Sequence, residues 1–281
     1  MAVQGFVPEI WSALISKILE KTFVYGACAN TDYEGEIKGA GDRVRVLEVG
    51  EVTVSPYVKN STTLSYQGLQ DAEKWLIIDQ SKYWAFKVDD VEKVQSKPDV
   101  MAAYVYKAAY AVADTVDQYL ATMYAKAGIT TNLGTSGTPI EINSANIDTC
   151  LIKLARLMDD NNVPRAGRWV VMPPFMHEDL VIANLAAVTD NAGIASNGLV
   201  GRYAGFDLRI SNNVPNTTKT KYACIAGINQ AISFASQIAE TESLRLEDSF
   251  ATAVRGLYLY GAEVLKPAAL ACLWANEAAE A

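Results

Sequence analysis

The sequence predicts an α+β fold, and three observations predict it. Long alternating strands fill residues 41–88, one unusually long amphipathic helix starts at Pro98, and strand and helix alternate over 141–240. A chain of 281 residues can bury a core without disulfides or metals to staple it. With 50% hydrophobic and only 20% charged residues, it is not a disordered chain.

In chain order, the N-terminus reads as an amphipathic helix opened near Pro8, with Trp11, Leu14, Ile15, Ile18 and Leu19 at helical spacing. Glu9, Lys17, Glu20 and Lys21 interrupt the apolar run that a signal peptide needs. Pro267 to Ala275 is too short to span a bilayer. Docking on protein rather than on a membrane is expected of the N-terminal helix. The glycine-rich stretch Thr31–Asp42 reads as an extended arm or loop.

Val44 and Val46 then alternate with Arg43 and Arg45, and Val52 and Val54 continue the pattern. After a polar turn region with Lys59 and Asn60, Leu64 and Tyr66 alternate again. Trp75–Ile78 and Lys82–Val88 are strand-rich, with Trp84, Phe86 and Val88 on one face. These are long strands folded back on each other. A long hairpin alone is marginal in water, so its own body or a neighbouring chain has to cover it.

Pro98 and Asp99 start the best helix, and Met101, Val105, Ala108, Val112, Val116, Tyr119 and Met123 follow at steps of three and four. Lys107, Asp114 and Asp117 fall off that stripe. Nothing interrupts it before Gly128, so about 29 residues give a rod of roughly 43 Å. The Gly/Thr/Ser-rich stretch 128–142 is the clearest boundary in the chain.

Beyond it, Ser144 opens a helix with Ile147, Leu151, Leu154 and Leu157 on one face. Trp169–Met172 is a buried strand, Phe175–Val188 a helix, and Thr189–Gly205 a flexible loop. Phe206–Ile210 and Tyr222–Ile225 are strands. The last 40 residues are strand-like, around Leu244, Leu246, Leu257, Leu259 and Val264, and the tail NEAAEA is read as loose.

The chemistry is sparse. The net charge of -8 speaks against a free-standing DNA reader, which needs a basic face. One histidine, His177, excludes HExxH and His-rich metal sites. There is no P-loop, no full GxGxxG and no GxSxG elbow. His177 lies beside Glu178 and Asp179 but without a nucleophile motif, so a helix-surface role is expected. Asp89-Asp90 with Glu92, and Asp159-Asp160, lack calcium-loop spacing. Cys28, Cys150, Cys224 and Cys272 are far apart and read as free thiols. No catalytic residue, metal or cofactor is expected. Arg43, Arg45 and Lys59 suit salt bridges to a neighbouring subunit better than nucleic acid, because acidic residues are interleaved.

The ordered segments resemble the major capsid protein of tailed double-stranded DNA phages, the HK97-like fold. The resemblance rests on FVPEIWSALISKILEK, DYEGEIKGAGDRVRVLEVGEVTV, LIIDQSKYWAFKVDDVEKVQSKPDVM, YAVADTVDQYLATMYA and NGLVGRYAGFDLRISNNVP, and covers nearly the whole chain. It implies an N-terminal arm (1–40), an extended loop and its base (41–88), and a peripheral domain with the spine helix (89–140). An axial domain (141–240) and a return to the peripheral domain with the tail (241–281) complete it.

The implied function is a structural, non-enzymatic subunit that self-assembles as hexamers and pentamers into an icosahedral head around double-stranded DNA. The head would be the virion capsid, assembled in the host bacterial cytoplasm. Implied partners are a separate scaffolding protein, a portal, decoration proteins in some heads, and packaged DNA held without sequence-specific binding; no membrane is involved. Candidate inter-subunit contacts are Arg43, Arg45, Lys59 and Asn60 on the extended loop. Asp190, Asn191, Asn197 and Arg202, near the axial loop, complete the set. Family-style covalent cross-linking through Lys59 is not expected, since no partner Asn or assisting acid can be matched. An acidic chain fits a wall that holds DNA without gripping it. The alternatives are an encapsulin-like compartment shell of the same fold, or a mixed α/β enzyme using His177.

Overall fold

Three sheets and one long helix organise the described residues. The computed structural model describes residues 23–32, 43–49, 54, 56, 59, 71–89, 98–183, 199–217, 220–245 and 250–278. The predicted N-terminal helix, the Leu64–Tyr66 strand and residues 184–198 of the expected helix and loop lie outside that set.

The predicted hairpin is there. Strand β1 (Arg43–Val49) pairs antiparallel with β2 (Asp71–Ile77), from Arg43 opposite Ile77 to Val49 opposite Asp71. The chain turns at once into β3 (Gln80–Asp89). Helix α1 (Pro98–Ala121) follows, with Pro98 at its start. It is shorter than the sequence suggests, because Thr122–Lys126 tightens into a 3-10 turn. There the Thr122 hydroxyl donates to the Tyr119 carbonyl at 2.6 Å.

The next elements are β4 (Ile140–Ile142), α2 (Ile147–Asp160), β5 (Arg168–Met172), α3 (Pro174–Ile182), β6 (Leu199–Tyr203) and β7 (Phe206–Ile210). Then come β8 (Asn216–Thr217), β9 (Lys221–Ile228), β10 (Ile232–Arg245), β11 (Ala251–Val264) and β12 (Leu270–Glu277).

Seven of these strands form one sheet in the order β4-β12-β9-β5-β7-β6, with β8 alongside β9. Every residue of β5 is buried, as befits a central strand covered on both faces. α2 lays Ile147, Cys150, Leu151, Leu154 and Met158 on the core, and α3 adds Met176 and Leu180. Arg168 is 2% exposed. It ties the α2–β5 connection by donating to the carbonyls of Pro164 (2.9 Å), Ala155 (3.3 Å) and Val163 and to Asp159 (2.7 Å).

The second sheet is β10-β11-β3, antiparallel throughout. α1 and the 3-10 turn join the two sheets: Tyr119 meets Tyr260 of β11 edge-on at 5.3 Å, and Tyr124 meets Trp274 of β12 at 5.5 Å. One continuous core runs from Phe23 through both sheets to Ala275.

Three expectations change. Leu199–Tyr203 is a strand, not loop, because Ala204 (φ 50°) and Gly205 (φ 85°) make a two-residue turn that folds β6 back onto β7. The tail is not wholly loose, since Asn276 and Glu277 continue β12 against β4. Asp117, read as off the apolar stripe, is 3% exposed. It accepts backbone N–H bonds from Val24 (2.8 Å), Tyr25 (3.2 Å) and Gly26 (3.3 Å), which hold the N-terminal segment on α1.

Candidate assembly interface

Period-2 alternation sets the geometry of the β1–β2 hairpin. Val44 and Leu76 point inward and, with Ile78, Ala235 and Leu259, make a small separate core. That core seats the hairpin's root on the outer face of the three-stranded sheet, opposite α1. Gly261 permits the seating, because the Ile77 carbonyl occupies the space a Cβ there would need. Lys74 adds a bond to the Leu265 carbonyl at the end of β11. The other face of the hairpin carries Arg43 and Arg45 on β1, across from Ile77 (42% exposed) and Trp75 (44%) on β2.

Beyond the root, the same sheet face is open. Tyr83 of β3, directly opposite Leu257 of β11, is 82% exposed. Tyr83, Ala85, Glu242, Arg255, Gly256 and Leu257 line a groove of about 440 Å³. Arg255 donates to Glu242 at 2.7 Å across the β10–β11 pair. Gly256 sits over Trp84, where a Cβ would lie 2.5 Å from the indole. Trp84 stacks on Phe86 at 5.8 Å on the α1 side. At the far end, Leu244 and Phe250 (79%) are exposed on either side of the β10–β11 connection. A row of apolar side chains with a central ion pair is what one protein surface offers another.

The predicted contact residues divide. Arg43 and Arg45 share the exposed face of β1. Lys59 is exposed in a turn, while Asn60, Asp190, Asn191 and Asn197 lie outside the described residues. Arg202, on edge strand β6, is directed at Asp207 of β7 by the strand register and pairs with it. Arg202 lies in a different sheet from the hairpin, and its side chain stays 80% exposed beside this pair.

Sequence reasoning placed Trp84, Phe86 and Val88 on one face but passed over Tyr83 on the other. An aromatic on the alternate face of a strand was the available signal.

The polar and thiol groups of the body stand apart from this surface. His177 is half-buried on α3, with Glu178 exposed and Asp179 buried. The four cysteines are buried free thiols, and burial pushes Cys28 and Cys272 up to about 12 and Cys224 higher still, so they are poor nucleophiles. Among the described residues, no three of His, Cys, Asp and Glu gather as metal ligands.

The class of protein follows from the fold. A chain of Mycobacterium phage Che8 is 26% identical, with a TM-score of 0.70, over 89% of this chain and 90% of that one. The capsid of cyanophage P-SCSP1u is 21% identical, with a TM-score of 0.67, over 89% and 86%. A virus-like particle from Pyrococcus furiosus is 12% identical, with a TM-score of 0.57, over 94% and 98%, a likeness of fold alone. The fold is HK97-like. Residues 80–273 match the model of a phage capsid protein family, and the chain belongs to that family. It is a major capsid protein, a structural subunit that self-assembles into the shell of the virion. The curated proteins give no match.

Proposed function

We propose that this subunit builds an icosahedral head of hexamers and pentamers around double-stranded DNA in the host bacterial cytoplasm, and that the β1–β2 hairpin lies over a neighbouring subunit. The observation that carries this is the hairpin itself: rooted by five buried residues, it keeps Trp75 and Ile77 exposed beside Arg43 and Arg45. Its root runs past the Leu265 end of β11, so its far end is aimed away from its own groove. A second copy supplies the matching surface, and multivalency turns many modest contacts into a closed shell. In this reading residues 41–88 form the extended loop, 89–140 the peripheral domain and 141–240 the axial domain. Arg43, Arg45, Lys59 and Asn60 contact a neighbour, and Asp190, Asn191, Asn197 and Arg202 lie near the capsomer axis.

Scaffolding protein, portal and decoration proteins are separate partners, and packaged DNA meets a wall without sequence-specific contacts. The net charge of -8 supports this, since each cation placed on DNA phosphates releases counterions and tightens binding. An encapsulin-like compartment has less support, because the family model that matches residues 80–273 is that of a phage capsid protein. Co-expression with the scaffold, followed by electron microscopy, tests the proposal. Closed particles with Trp75 and Tyr83 shielded from solvent are expected. Closed particles that form equally well after deletion of 50–70 would defeat the hairpin's role.

A further inference from the structure

Residues 24–26 dock on one stripe of α1, where the N–H groups of Val24, Tyr25 and Gly26 donate to the Asp117 carboxylate. Just before them, Phe23 packs edge-on against Phe234 of β10 at 6.0 Å, so the chain is fixed from Phe23 onward. The stripe itself runs on toward the start of α1. At steps of four, three and four, Tyr106, Tyr110, Ala113 and Asp117 share one face of the helix. Its covered end is tight, with Ala113 1% and Asp117 3% exposed. Its other end is open: Tyr106 is 56% exposed and Tyr110 54%. Two tyrosines one turn apart form a ridge with apolar sides and polar tips, which suits a partner that is apolar on one face.

We propose that this open stripe, centred on Tyr106 and Tyr110, is the docking site for the N-terminal segment of the same chain, residues 8–21. That segment carries Trp11, Leu14, Ile15, Ile18 and Leu19 at helical spacing, and its charged residues Glu9, Lys17, Glu20 and Lys21 fall off that face. So short a helix is marginal alone in water and needs a surface for its apolar side.

The lengths match. At about 1.5 Å per residue, Tyr110 and Tyr106 lie about 10 and 16 Å along α1 from Asp117. Val24 sits at Asp117. In a helix leading back from it, Leu19, Leu14 and Trp11 fall about 8, 15 and 20 Å away. The apolar face of the segment therefore spans both tyrosines when it runs beside α1 from the Asp117 contact. That contact also decides whose segment docks. It holds the chain's own residues 8–21 next to the stripe at a high effective concentration, which the segment of a second copy lacks. Docking is an event within one subunit, so its test does not need the shell.

Tyrosine nitration reads the docked state. Full-length unassembled subunits are treated with tetranitromethane, and the nitrated tyrosines are mapped by mass spectrometry. Tyr106 and Tyr110 should react about tenfold more slowly in wild type than in the double variant Leu14→Asp/Ile18→Asp, as for a segment docked about 90% of the time. Tyr83, on the outer sheet face, should react equally fast in both, and the buried Tyr25 should stay protected in both. In the reciprocal variant, Tyr106→Ser/Tyr110→Ser, tryptic cleavage after Lys17 and Lys21 should speed up by a similar factor. Equal nitration of Tyr106 and Tyr110 in wild type and Leu14→Asp/Ile18→Asp overturns the proposal. So does protection that grows with subunit concentration, which would mean that a second copy supplies the segment. Tyr25 reacting in step with Tyr106 overturns it too, since the segment would then be part of the folding core rather than docked on it.

Discussion

The two sheets spend their apolar residues differently. In the seven-stranded sheet β5 is buried from end to end, α2 and α3 deliver their apolar faces to it, and Arg168 has every polar neighbour it needs inside the chain. In the three-stranded sheet only the α1 side is closed in this way. Its outer face is half covered by the hairpin root and otherwise presents Tyr83, Ala85, Leu257 and Leu244 to solvent. The first sheet is finished when the chain has folded. The second leaves one face open after folding, and in the proposed reading another copy covers it.

Two arginines break the comparison most sharply. Arg168→Ala strips the partner from three carbonyls and Asp159 inside the fold, and should cost about 3–5 kcal/mol. Arg255→Ala removes a half-exposed pair with Glu242 on the open face and should change subunit stability by less than about 1 kcal/mol. Urea midpoints of unassembled subunits measure both. Equal losses would mean that the outer face is part of the folding core after all.

Asp117 adds a pH signature to the shared part of the molecule, α1. A carboxyl raised from 3.8 to about 6 makes the folded chain bind more protons than the unfolded one between those values. Stability from this group is therefore full below its unfolded pKa and is lost as pH rises through about 6. The total is about 3 kcal/mol, at 1.36 kcal/mol per unit. The urea midpoint of wild type should fall from pH 5 to pH 7.5 relative to Asp117→Asn. A parallel pair of curves would show that Asp117 is not titrating in the fold.

What the sequence disclosed follows the range of the interactions. Local periodicity was enough for α1, for the alternation of β1 and β3, and for the apolar face of α2. The family resemblance carried the order of the segments. Neither could show that β12 inserts between β4 and β9, because strand partners more than 40 residues apart leave no local trace. Asp117 misled for a related reason. A carboxylate beside the apolar stripe normally faces water, and only the distant backbone of Val24–Gly26 makes its burial affordable. The glycines hid β6, since Gly201 weakens a strand signal while Gly205 supplies the turn that the strand needs. The shared face of Arg43 and Arg45 could be read from alternation; Tyr83 and Leu257 needed the sheet register to be seen as a pair.

A smaller effect tests the junction between the two regions. At Gly261 a Cβ would collide with the Ile77 carbonyl, so Gly261→Ala forces the hairpin root off β11. The expected cost is about 1–3 kcal/mol, confined to the small core of Val44, Leu76, Ile78, Ala235 and Leu259. Limited proteolysis should then cut the 43–77 region faster while the seven-stranded sheet keeps its protection. Faster cleavage everywhere would tie the hairpin to the main core more closely than its separate cluster implies.

The least destabilising change should matter most to the shell. Tyr83→Ser and Leu257→Ser remove side chains that are 82% and 37% exposed and lie opposite each other on the open face. Substitution of such surface residues, made one at a time, should move subunit stability by no more than about 0.5 kcal/mol for Tyr83, with Leu257 somewhat more sensitive. In an interface, an aromatic anchor buried by a partner is worth about 2 kcal/mol or more. A closed shell repeats that loss at every subunit. Sedimentation of assembly reactions should therefore show Tyr83→Ser subunits that fold normally but need a markedly higher concentration to form particles. If the variant unfolds with the wild-type midpoint and also assembles at the wild-type concentration, Tyr83 faces solvent in the shell as well. The open half of the sheet would then be an outer surface of the particle rather than a seam between its subunits.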